Sequence, residues 1–256
     1  MGVSANTLFH FTARESLLKI IEVKYFFAKY SNEYFANILP QQSPINKVYT
    51  PLISFCDLTI MQLAREPIHT KTFGFYGIGL KKEWGVNQKV SPIVYVHEKS
   101  QPSLQLAEII KTINSISETG DLKDKIEEIK LELIDSFKFI KPYESYYQKG
   151  KKGKKLIEHY NEREWRFCPT SKKGFSVIPS KERFAKQTKS DLIDKLKRET
   201  DNYLKFNIDV IKYIVLKTKN DISDFIKAID NMKLHSEERD DLIRKIITFK
   251  ELEDDF

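Results

Sequence analysis

The sequence predicts a mixed α+β protein, and three observations lead there. Short segments rich in β-branched and aromatic residues recur from end to end, as in TLFHFT, LISFCDL, PIVYVH and VIKYIVLKT. Stretches with apolar residues at helical spacing separate them. Neither a regular strand–helix alternation nor a run of hairpins dominates. At 256 residues, 41% hydrophobic and 12% aromatic, the chain can bury a large core. No linker divides it, so residues 1–256 are expected to form one domain.

Taken in order, Thr7–Thr12 reads as a strand, and residues 13–24, with Leu17, Leu18, Ile20 and Ile21 on one face, as an amphipathic helix. Pro51 opens a second strand, LISFCDL. Residues 73–80 (FGFYGIGL) and 92–97 (PIVYVH) give two more, separated by a turn-like WGVNQ. From 104 to 139 the spacing turns helical and dense in Glu and Lys, which predicts a helical insertion (about 104–140) broken near 118–121. After a lysine-rich loop at 149–155, residues 162–169 and 175–179 read as strands and 189–203 as a helix. A β-branched strand at 210–218 and C-terminal helices at 221–232 and 236–245 precede IITFKEL.

Composition narrows the setting. No apolar run approaches the roughly 18 residues of a membrane span, and the N-terminus has no basic stretch followed by an apolar one, so no membrane partner and a cytoplasmic location are expected. Cys56 and Cys168 lack metal or redox spacing and read as buried thiols. Net charge is 43 − 36 = +7, which favours polyanions without marking a dedicated nucleic-acid binder. Five lysines fall in KGKKGKK. Its glycines suit a solvated loop, and a phosphate-contacting role for Lys151, Lys152, Lys154 and Lys155 is the alternative.

The usual site signatures are missing from the sequence: no phosphate loop, no paired histidines at metal spacing, no nucleophile elbow, no dinucleotide fingerprint. His69, His97, His159 and His235 stand in polar surroundings that suggest the surface. His10 is different, embedded in FHF, where an extended chain puts it on one face with Thr12. It is either a core histidine satisfied by a carbonyl or a ligand contact. Tyr76 lies beside glycines that either admit a flat ligand or mark a bulge. In NEREWRFC, a strand would place Glu162, Glu164 and Arg166 on one face and Trp165 and Phe167 on the other. The charged face is then solvated surface or the wall of a cleft.

LFHFT, LISFCDL, YGIGLKKEW, PIVYV and NEREWRF, in this order, resemble AbiGi-type abortive-infection proteins of bacteria, a family linked to phage resistance. The resemblance spans most of 8–170 and fades from Lys189 onward. More distantly, the His, Tyr, Glu order is similar to the ADP-ribosyltransferase superfamily, including DarT-type toxins, which implies an ADP-ribosyltransferase-like sheet core and NAD as substrate. The likeness implies that His10, with Thr12 beside it, binds ribose hydroxyls, that Tyr76 stacks on nicotinamide and that Glu164 is the catalytic carboxylate. Such a carboxylate would stabilise the positive charge that builds as the nicotinamide bond breaks. Glu162 would orient or deprotonate an acceptor, Arg166 would pair with Glu164 or hold the pyrophosphate, and Ser54 would stand for the structural serine. The glycine expected after the histidine motif is absent, since Ala13 and Arg14 follow Thr12. Two classes result. One is an NAD-dependent ADP-ribosyltransferase or glycohydrolase acting as a growth-arresting toxin on a nucleic-acid or protein acceptor. The other is a non-enzymatic antitoxin or sensor that binds a cognate partner.

Overall fold

A computed structural model describes residues 5–36, 38–39, 47–65, 73–116, 123–148, 154–169, 191, 194, 197–198 and 203–255. Its centre is an eight-stranded sheet. Along the main path lie β14 (Ile246–Thr248), β13 (Ile211–Leu216), β5 (Tyr76–Lys81), β1 (Thr7–Thr12), β4 (Lys47–Cys56), β11 (Glu164–Phe167) and β6 (Ser91–Pro92), with β3 (Lys29–Tyr34) pairing β4 off that path. The β13–β14 pair is parallel and the other pairs are antiparallel. The mixed α+β class expected from the sequence is therefore the class observed.

Cross-strand partners share a face of a sheet, and neighbours along a strand alternate between faces. Phe9 on β1 faces Cys56 on β4, and Cys56 faces Glu164 on β11. One face therefore carries Phe9, Phe11, Cys56 and Val215 and packs under Leu58, Leu63 and Phe249, from the segments around α2 (Ile60–Arg65) and α8 (Phe249–Asp255). The other carries Leu8, Ile53, Phe55, Ile78, Leu80 and Ile214. It is covered by Leu17 and Ile21 of α1 (Arg14–Val23), Phe225 and Ile229 of α6 (Asn220–Asp230), and Leu242 of α7 (Ser236–Arg244). Cover on both faces explains why TLFHFT and VIKYIVL read as near-continuous apolar runs.

The helical insertion is α4 (Gln101–Ser115) and α5 (Lys123–Ser136). It joins β7 (Val94–Val96) to β8 (Ile140–Pro142), which pair in parallel. A parallel pair needs a long crossover, and the helices supply it. The basic stretch joins β9 (Glu144–Gln148) to β10 (Lys154–Glu158), an antiparallel pair. Lys154 and Lys155 thus begin a strand rather than belonging to a loop, and 149–153 lie outside the described residues.

Several boundaries differ from expectation. WGVNQ is no turn: Lys82–Asn87 form helix α3, held because Trp84 and Gly85 are buried and a Cβ on Gly85 would meet Leu8 at 2.6 Å. Residues 92–97 split into β6 and β7. Two strands went unforeseen, β2 (Tyr25–Phe27) and β3, and β2 pairs with β12 (Tyr203–Lys205), where a helix was expected to end. The expected strand at 175–179 and most of the expected helix at 189–203 fall outside the described residues. Among the described residues no helix is long and apolar enough to cross a membrane.

Candidate functional site: a split sheet beside a buried ion cluster

The strand in NEREWRFC begins two residues later than expected. Glu162 ends a short 3-10 turn, His159–Glu162, and Arg163 takes a left-handed conformation at φ 46° before β11 starts at Glu164. Glu162 is therefore not on the strand face of Glu164 and Arg166, and reaches them by another route. The charged face is also the buried one: Glu164 is 7% exposed and Arg166 0%. Trp165 and Phe167 pack, half-buried, against the core on the other side.

Burial of charge requires compensation, and the chain supplies it. Arg166 Nε donates to Glu164 Oε1 at 2.6 Å and Nη2 to Oε2 at 2.9 Å, a bidentate pair. Its Nη2 also reaches Glu33 Oε1 at 2.5 Å and Nη1 the Lys138 carbonyl at 2.9 Å. Lys141 Nζ bridges Glu164 at 3.0 Å and Glu162 at 2.7 Å. His159 Nδ1 faces Glu162 Oε1 at 2.9 Å and so donates to it, while its Nε2 lies 2.7 Å from the Ser145 hydroxyl. The Tyr95 hydroxyl accepts from the Glu164 backbone N–H at 2.8 Å. Of the two roles weighed for Arg166, pairing with Glu164 is the observed one, and its donors are spent within the protein.

These contacts set the titration of the cluster. Burial alone would raise Glu162, but the hydrogen bond from His159 and the charge of Lys141 outweigh it and hold the carboxyl down at about 2. Burial likewise opposes ionisation of Glu164, and the Arg166 and Lys141 charges overcome it, so its pKa is lowered. Glu33, Lys141, Tyr95, Ser145 and His159 were not singled out from the sequence. His159 in particular was expected at the surface, yet its side chain is 19% exposed. The alternation of KYSNEY, with Ser31 and Glu33 on one side, was the available signal for Glu33.

His10 and Glu164 come from opposite faces of the sheet where β1 and β4 pair, but that pairing is brief. β1 follows β5 from Thr7 to Thr12, whereas it meets β4 only at Phe9 and Cys56. Past that point the His10 side chain spans the gap, its Nδ1 donating to the Ser54 carbonyl at 2.8 Å. The ring meets Phe26 edge-on at 5.1 Å, and burial lowers its pKa, with the Ser54 bond opposing. The carbonyl-satisfied histidine weighed from the sequence is thus present.

The split opens two adjoining cavities. The larger, about 680 Å³, is lined by His10, Thr12, Ser54 and the aromatic rings of Tyr25, Tyr30 and Tyr203, with Lys19, Lys29 and Lys197. The smaller, about 90 Å³, is lined by Ser54, Cys56, Glu33, Lys141, Glu162 and Glu164. Phe11, Ser31, Leu52, Ser54 and Phe73 belong to both. The structure therefore brings His10, Thr12 and Ser54 together in one space and Ser54, Glu162 and Glu164 in the next. Tyr76 lines neither. Its hydroxyl donates to Asp221 at 2.8 Å, tying β5 to α6, and burial with that bond raises its pKa to about 12. The neighbouring glycines admit no ligand: a Cβ on Gly77 would meet the Phe11 ring at 2.9 Å and one on Gly79 the Phe9 ring at 2.7 Å. Lys151 and Lys152 lie outside the described residues, as do the side chains of Lys154 and Lys155.

Fold and site together define a mixed α+β protein whose sheet splits beside an internally paired cluster of charges. The chain belongs to the AbiGi family of abortive phage resistance proteins. The family's model, described as an antitoxin, matches residues 24–217, more than half of the chain and well past the segment in which the sequence motifs lie. The chain is also similar to the abortive phage resistance protein AbiGi of Lactococcus lactis subsp. cremoris, 27% identical over 241 residues, covering 88% of this chain and 96% of that protein. No solved structure matches.

Proposed function

We propose that this chain is the antitoxin of an abortive-infection pair, acting in the cytoplasm by binding a cognate toxin protein. The observation that carries this reading is the closure of the ion cluster. Both oxygens of Glu164 are held by Arg166 and Lys141, so its charge is spent on joining segments of the fold. The antitoxin description of the family supports the same direction. Co-expression with the toxin should abolish growth arrest, and the two proteins should co-purify as a complex. Growth arrest by this chain expressed alone would overturn the reading.

The second reading is an NAD-dependent ADP-ribosyltransferase or glycohydrolase, with an ADP-ribosyltransferase-like core and a nucleic-acid or protein acceptor. What favours it is the pair of cavities at the sheet split. The larger is within the roughly 300–1,000 Å³ of ligand sites, and His10 and Thr12 stand at one end of the joined space, Glu162 and Glu164 at the other. In this reading His10 and Thr12 contact ribose, Glu164 is the carboxylate nearest the developing charge, and Glu162 serves the acceptor. Arg166 and Tyr76 have no direct part, being engaged elsewhere. Release of nicotinamide from NAD by wild type, lost in Glu164→Gln, supports it. No release at any protein concentration ends it.

A further inference from the structure

Away from the split sheet, a cavity of about 260 Å³ lies between α2, with the segment leading into it, and the turn before β11, lined by Leu58, Gln62, Arg65, Asn161 and Arg163. It shares no lining residue with the two cavities described above. Two guanidinium groups and two primary amides surround it, with one aliphatic side chain and no carboxylate among the lining residues. We infer that this cavity binds a phosphoryl group, as a free phosphate, a nucleotide phosphate or the 5′ phosphate of a nucleic-acid strand.

The arginines of the chain differ in their partners. Arg166, Arg239 and Arg14 are each paired with a carboxylate. Arg65, Arg163, Arg198 and Arg244 have no such pair among the described residues, and of these Arg65 and Arg163 line one cavity. Arg163 is held instead by its backbone: its N–H donates to the Tyr160 carbonyl at 3.1 Å, its carbonyl accepts from Asp57 N–H at 3.0 Å, and its guanidinium lies 4.7 Å over the Tyr160 ring. The ring contact leaves the guanidinium N–H groups of Arg163 without a hydrogen-bond partner among the described residues, as bidentate recognition of phosphate requires. A non-glycine residue at φ 46° is strained, and such strain concentrates at binding sites. Gln62 turns its Oε1 to Thr59, accepting from N–H at 2.9 Å and the hydroxyl at 3.1 Å, which leaves its NH2 as a donor. Asn161 Nδ2 is committed to Glu158 at 3.3 Å. The volume is below the roughly 300–1,000 Å³ that encloses a whole ligand, so a phosphoryl head group fits while the rest stays outside.

The test uses the full chain and calorimetric titration with inorganic phosphate, with AMP, and with a 5′-phosphorylated single-stranded oligonucleotide beside its unphosphorylated form. Saturable binding of at least one phosphate-bearing probe is expected, weakened tenfold or more in Arg65→Gln and in Arg163→Gly. Glycine accepts φ 46° without strain, so the second variant removes the fork while keeping the turn. Binding of phosphate and AMP assigns the site to free ligands, and binding of the phosphorylated oligonucleotide alone assigns it to a strand end. Failure of all three, binding of oligonucleotides alone with equal affinity for both forms, unchanged affinity in the variants, or equal competition by an acidic peptide would overturn the assignment.

Discussion

Replacing Arg166 by Met should be among the most damaging single changes in this protein. The guanidinium is fully buried, pairs with Glu164 and Glu33, and donates to the Lys138 carbonyl. Methionine fills much of the same volume, so the loss is of charge and donors more than of packing. Removing one partner of a buried ion pair costs about 3–5 kcal/mol because the remaining charge is left uncompensated. Lys141 stays on Glu164, and Glu33 is 12% exposed and can recover some water, which keeps the cost within that range. For a chain of this length it corresponds to a fall of roughly 10 °C in the unfolding midpoint. The assay is urea unfolding followed by fluorescence of Trp84 and Trp165. The decisive comparison is the double variant Arg166→Met with Glu164→Leu, which removes both charges and should recover at least about half of the loss, since replacing a whole buried pair by apolar groups is close to neutral. A single-variant cost below about 1 kcal/mol, or a double variant as unstable as the sum of its parts, would refute the claim that the cluster is closed on itself.

Other consequences can be checked on the same protein. Glu162 has a folded pKa of about 2 against an ordinary 4.5, so its contribution, of the order of 3 kcal/mol, is present above pH 4.5 and lost as pH falls through 2. Acid unfolding should therefore begin at higher pH in Lys141→Met than in wild type. Tyr76→Phe should cost about 1–2 kcal/mol through the lost bond to Asp221, and should leave any NAD turnover unchanged, since the ring is kept and lines neither cavity. Gly77→Ala should cost about 1–3 kcal/mol in thermal unfolding because the new methyl meets the Phe11 ring at 2.9 Å; an unchanged midpoint would contradict the close approach of β1 and β5.

What the sequence shows and what it hides divide along physical lines. β1, β4 and β13 were readable because aromatic and aliphatic residues cover both of their faces, and β5 because Tyr76, Ile78 and Leu80 alternate with glycines that let the Phe9 and Phe11 rings approach. NEREWRF was readable as alternation, but not in its direction: charge normally marks the solvent side, and here it faces inward because Glu33, Lys141 and Lys138 arrive to compensate it from distant positions. No local pattern records such partners. The same holds for His159, whose polar neighbours suggest exposure while the Tyr95, Tyr143 and Tyr160 rings pack around its turn. Helix α3 is short, and its anchor is the tertiary contact of Gly85 with Leu8, which propensity cannot see.

The charge balance of the cluster bears on which reading of the site is stronger. Glu33, Glu162 and Glu164 face Arg166 and Lys141 in one cluster, three carboxylates to two cations of fixed charge. Both cations meet at Glu164, whereas Glu162 touches Lys141 and His159. A carboxylate that is to stabilise a developing cation must present uncompensated charge to the ligand, and Glu164 is the member of the cluster least able to do so. As a structural device the same arrangement is efficient. Glu33 from β3, Lys141 from β8, Arg166 from β11 and the His159 turn with Ser145 from β9 are joined in one chain of bonds, which fixes the β9–β10 hairpin to the central sheet. A two-stranded hairpin is marginal by itself, and this chain of bonds anchors it while leaving Tyr146 and Leu156, directly paired across its strands, exposed.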